Sequence, residues 1–166
     1  MAEDQNAVPV KGVIPIHETF GEDEEDTRLL RAMASAASEY IQSFLWCRSI
    51  REGFFGDGCG GVVAVFLFHI EPSKKGVDEW LWVVVGDLPP AYLVVDVSKT
   101  PSQALENYIG EMSKWVKLAK QRRSSKKVIP VNTPATPEYA EALEGRLKFL
   151  CEVMVPRFQL AETQRA

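Results

Sequence analysis

The chain has 166 residues, 46% of them hydrophobic and 25% charged, with a formal net charge of −4. These are the values of one ordinary globular domain, long enough for a full core, and they weigh against general nucleic-acid binding. No run approaches the roughly 18 apolar residues of a membrane span.

The start, Met1-Ala2-Glu3-Asp4, lacks the basic and apolar stretches of a signal peptide. Cys47, Cys59 and Cys151 are an odd number and form no C-x-x-C pair. A cytoplasmic protein with free thiols is expected. The average charge hides an asymmetry. Residues 1–60 carry 5 basic and 11 acidic side chains, whereas residues 101–128 carry 7 basic and 2 acidic ones.

Residues 1–21 read as an irregular lead-in, with 13–16 able to add a short extended edge segment. Pro15 keeps that segment out of a sheet centre. The acidic run 22–26 precedes a helix expected over 27–47, with Leu30, Met33, Ala37, Tyr40, Ile41 and Phe44 on one stripe. Carboxylates at its start complement the helix dipole. Strands are expected at 49–55, 62–71, 79–86 and 91–97. The connections between them are too short for parallel crossovers, so the sheet should be an antiparallel meander.

Thr100, Pro101 and Gln103 form a helix start with cap, proline and capping-box residue. Leu105, Tyr108, Ile109, Met112, Trp115, Val116 and Ala119 give this second helix its stripe. Thr136 and Pro137 repeat the cap-plus-proline start. Ala140, Leu143, Leu147, Leu150 and Met154 mark a third helix that should end near Pro156, with a frayed tail at 161–166. The expectation is a single α+β domain over 22–160, with a four-stranded antiparallel sheet, three helices and the order α-β-β-β-β-α-α.

Successive strand residues face opposite sides of a sheet. Val62, Ala64, Phe66, Phe68 and Ile70 oppose Val63, Val65, Leu67, His69 and Glu71. Trp80, Trp82 and Val84 oppose Leu81, Val83 and Val85. Both faces are apolar, so both must be covered. Either the helices divide between the faces, or a homodimer or other protein partner fills one of them. Trp80 and Trp82 are the residues that point most to such an interface, although core packing also explains them.

The chemical signals are sparse. The glycine-rich stretch 53–61 could gather N–H groups around an anion, but it joins strand to strand and has no G-K-[ST]. A hairpin with positive φ at Asp57-Gly58 accounts for it. Cys59 lacks a base, since His69 lies about 33 Å away along an extended strand. His69 and Glu71, with His17 and Glu18, could form a two-histidine metal site, but a strand-end histidine beside a solvated glutamate is the simpler reading.

Arg48, Arg51, Glu52, Asp57, His69 and Glu71 are the polar groups that a ligand site near the glycine stretch would use. The basic series Lys114, Lys117, Lys120, Arg122, Arg123, Lys126 and Lys127 lacks interleaved aromatics, so it reads as a solvated helix end. No metal or cofactor is expected. The balance favours a non-catalytic protein-interaction module, whether inhibitor, immunity-like protein or assembly subunit. The rival is a small enzyme or ligand-binding domain at the six polar residues.

Overall fold

The structure, a computed structural model, describes residues 7–123, 125, 127–131 and 133–165. It is an α+β fold built on an antiparallel sheet of order β1-β2-β3-β4-β5. The strands are β1 (Ile14–Pro15), β2 (Cys47–Cys59), β3 (Val63–Pro72), β4 (Trp80–Gly86) and β5 (Leu88–Val94). The helices are α1 (Glu24–Gln42), α2 (Pro101–Lys120), α3 (Pro137–Phe149) and α4 (Val155–Arg165). A π-helical turn, Leu150–Met154, joins α3 to α4 in one continuous helical run.

Five strands replace the expected four. The fifth is β1, the short edge segment, which pairs with Phe54 and Phe55 of β2. A second correction concerns the glycine stretch, which is not a loop: β2 runs through it to Cys59, with three register shifts against β3. Its glycines make room for side chains. A Cβ on Gly58 would lie 2.8 Å from Leu30 Cδ2, and one on Gly56 would lie 3.0 Å from Pro101 Cγ. The positive φ falls later, at Gly61 in the turn, where Val62 N–H bonds back to Cys59 O.

The Pro89-Pro90 pair, which falls between the expected strands 79–86 and 91–97, lies in β5, an edge strand where missing N–H groups disrupt no inner ladder. β4 reverses into β5 within one residue, Asp87. A Cβ on Gly86 would overlap the Val62 carbonyl oxygen, so the reversal requires glycine.

Local chemistry sets the helix ends. Asp23 caps α1 by accepting the Asp26 N–H at 2.8 Å, so the helix starts three residues earlier than the apolar stripe suggests. Thr100 and Thr136 cap α2 and α3 as their sequences imply. The third helix does not end at Pro156. The wider π turn places the Val155 N–H on Leu150 O and lets the chain pass a residue that has no N–H of its own. The helix then runs through the expected frayed tail to Arg165. Glu162 in that segment accepts from the Ser102 N–H at 2.8 Å and from its hydroxyl at 2.7 Å, fixing α4 to the positive end of α2.

The two-faced sheet is covered on both sides by the chain's own helices. Val63, Val65, Leu67, Trp82, Val84 and Leu93 pack with α2, α3 and α4. Ala64, Phe66, Phe68, Ile70, Leu81 and Val83 pack with α1. Trp82 is fully buried and donates its indole N–H to Ser98 O at 3.0 Å. Tyr108 donates to Pro89 O at 2.6 Å, and burial raises its phenol pKa.

Neighbouring residues of β3 should therefore both be costly to truncate. Leu67→Ala and Phe66→Ala, which point to opposite faces, should each destabilise the fold by about 3 kcal/mol in urea unfolding. A loss under about 0.5 kcal/mol at either position would contradict double coverage.

Candidate functional site

The six polar residues do not converge. Arg48, Arg51 and Glu52 are exposed near the start of β2, and Asp57 lies near its other end. Glu71 pairs with Arg48 at 3.5 Å and accepts from Ser49 Oγ at 3.3 Å. His69 turns elsewhere. It is buried, stacks on Trp80 with ring centroids 4.2 Å apart, and has Nε2 3.4 Å from Glu79 Oε2. The 72–79 segment thus supplies the histidine's carboxylate in place of Glu71. Among the described residues, no three His, Cys, Asp or Glu side chains gather in a way that could hold a metal.

The exposed charges of β2 have a structural use. β1 covers only Phe54 and Phe55, which leaves the first half of β2 as an outer edge. Arg48, Arg51 and Glu52, together with the register shifts at Cys47/Ser49 and Ile50/Glu52, blunt that edge against pairing with another strand. Pro89 and Pro90 do the same for β5 at the opposite edge.

Asp57 borders a cavity of about 260 Å³ with Phe20, Asp26, Phe55, Arg157 and Phe158. The polar groups here serve the fold. Asp26 accepts the Gly60 N–H at 2.6 Å and the Glu22 N–H at 2.9 Å, so both its oxygens are engaged. Arg157 pairs with Glu22 at 2.7 Å across the mouth. Asp57 accepts the Gly58 N–H at 2.8 Å.

Three of the six described basic side chains at this end of α2 are paired within the chain. Lys114 pairs with Glu111, Lys120 with Glu144, and Arg122 with Glu138. Lys126 lies outside the described residues. Trp115 is buried, as its place in the stripe implies. Trp82 belongs to the core, and Trp80 is half-buried against it, with Phe54 6.1 Å away. The three cysteines are unbridged, and burial raises the pKa of the Cys47 thiol.

The most distinctive surface is one that the buried-stripe reading passes over. Four large apolar side chains of the C-terminal helical run are exposed: Tyr139 at 52%, Phe149 at 45%, Val153 at 39% and Leu160 at 60%. Ala142, Gly145 and Pro156 lie exposed between them. Grooves flank the run. One of about 500 Å³ lies toward α2, over Val116 and Leu147, with Lys117 and Lys148 at its rim. Another of about 420 Å³ lies toward the strand ends, between Gly61, Val62, Leu88, Ala142 and Gly145. The signal in the sequence is a surplus of apolar residues in this helix off its buried stripe.

Replacing Arg51 and Glu52 together with valine tests the role of the charged edge. Stability should change by no more than about 0.5 kcal/mol, because both side chains are exposed. Light scattering should show concentration-dependent aggregation that the parent lacks. A variant as dispersed as the parent would contradict the assignment.

No protein-family model, curated protein or solved structure matches this chain. Among the described residues, no helix is long and apolar enough to cross a membrane.

Proposed function

We propose that this protein is a non-catalytic protein-interaction module whose contact surface is the outward face of the C-terminal helical run. One observation carries the reading: Tyr139, Phe149, Val153 and Leu160 are exposed on a single helical run. Apolar residues scattered singly are common on protein surfaces, but four exposed on one helical run, with Phe149 bordering a groove, favour a contact site. The apolar faces of the sheet are engaged by helices, and its edges are blunted by charge and proline.

The rival, an enzymatic or ligand site at Arg48, Arg51, Glu52, Asp57, His69 and Glu71, has less support. Those groups are spread along 13-residue β2 and its neighbour, and each described contact among them is a pairing that holds strands or loops together. Free thiols at Cys47, Cys59 and Cys151 suit a reducing, cytoplasmic setting.

Site-specific photo-crosslinking in the native host tests the reading. A photoreactive residue at Phe149 or Val153 should give one discrete protein adduct, while the same group at Arg51 or Val94 should give none. Equal adducts at all four positions, or none at 149 and 153, would overturn it.

A further inference from the structure

We propose that the partner at this surface is a second copy of the chain, packed about a two-fold axis with each Phe149 seated in the groove beside the other copy's Gly145. The proposal rests on the reading of the C-terminal run as the contact surface and adds the identity of the occupant.

A two-fold contact uses the same patch twice, so the patch must hold both a projection and a recess to receive it. This one does. Phe149 is 45% exposed, and the groove of about 420 Å³ that it borders is walled by Val62, Leu88, Ala142 and Gly145, with the Asp87–Arg146 ion pair at its side. Projection and recess lie about one helical turn apart on α3. Two copies related by a two-fold axis can fill both recesses at once, whereas an unrelated partner would need to supply both features itself.

Gly145 is a second, independent observation. Glycine inside a helix costs about 1 kcal/mol relative to alanine. Among the described residues nothing uses the space it leaves, since a Cβ at Gly145 would meet no atom within 4 Å. Gly110 of α2 shares that openness, and what sets Gly145 apart is that it walls the groove Phe149 borders. Nor does the backbone need it, since Gly145 is not among the positive-φ glycines. A missing side chain beside an apolar groove lets another chain approach the helix closely.

Charge allows like to meet like. Four charged side chains of the run are neutralised within the chain: Glu138 by Arg122, Glu144 by Lys120, Arg146 by Asp87 and Arg157 by Glu22. Glu141, Lys148 and Glu152 remain, and they carry both signs. The patch is therefore close to neutral on a chain of net charge −4. The span 137–160 is about 36 Å long at the helical rise. That length can supply the roughly 800 Å² per partner of a stable contact.

Sedimentation velocity on the full chain, from about 1 to about 200 μM, tests the proposal over the range of micromolar association. The expected result is a species of twice 18.6 kDa that dissociates on dilution. Gly145→Arg fills the groove from a position facing open space, and Phe149→Glu removes the projection. Each should raise the dissociation constant at least about 30-fold, as loss of a central anchor does. At a concentration where the parent is monomeric, the circular dichroism spectrum and cooperative melt should match the parent, and having two variants guards against one that misfolds.

A parent protein that stays monomeric throughout overturns the proposal. So does a dimer that persists in both variants, because its contact then lies elsewhere. A monomeric parent that still gives a single foreign adduct from position 149 would overturn only the second copy as occupant and leave the contact surface standing.

Discussion

The constraint on which the rest depends is a sheet whose central strands are apolar on both sides. Residues Val63 to Ile70 of β3 are buried without interruption. A strand with that pattern cannot lie at the surface, so two helical layers must form. α1 supplies one, and α2 with the C-terminal run supplies the other. Once both layers are in place, the sheet has no apolar face left to offer. Any association would then use an edge, a loop or the outside of a helix.

Close approach of the layers explains the composition of β2. Glycine weakens a strand and is depleted there. Gly53, Gly56 and Gly58 nevertheless sit in β2 because Phe68, Pro101 and Leu30 crowd the places where Cβ atoms would be. The cost in strand propensity is offset by burial of the ends of α1 and α2 against the sheet. The same strand is an outer edge over its first half, and its charged residues keep that edge soluble. One strand thus meets two demands, close packing at one end and protection at the other. Neither demand calls for catalysis by Arg48, Glu52 or Asp57.

What could be read from the sequence followed local rules. The alternation in β3 and β4, the caps at Thr100 and Thr136, and the need to cover two faces are all written in short stretches. What could not be read depended on contacts distant in sequence. Gly56 and Gly58 read as part of a loop because Pro101 and Leu30, which require them, are far along the chain. Glu71 reads as the partner of His69, but the 72–79 segment brings Glu79 there instead. Pro156 reads as a helix end because the π turn that accommodates it leaves no residue signature. The exposed row Tyr139, Phe149, Val153 and Leu160 was present in the sequence. A search for the buried stripe looks at the opposite side of that helix.

The proposed association runs through helices, with the sheet sealed. Hydrogen–deuterium exchange at about 5 and about 200 μM addresses that claim directly, because amides at a contact slow as the complex fills. Slower exchange is expected at 142–154 in the concentrated sample, with 47–53 of β2 and 91–94 of β5 unchanged. Slower exchange at either strand edge, with 142–154 unaffected, would contradict it.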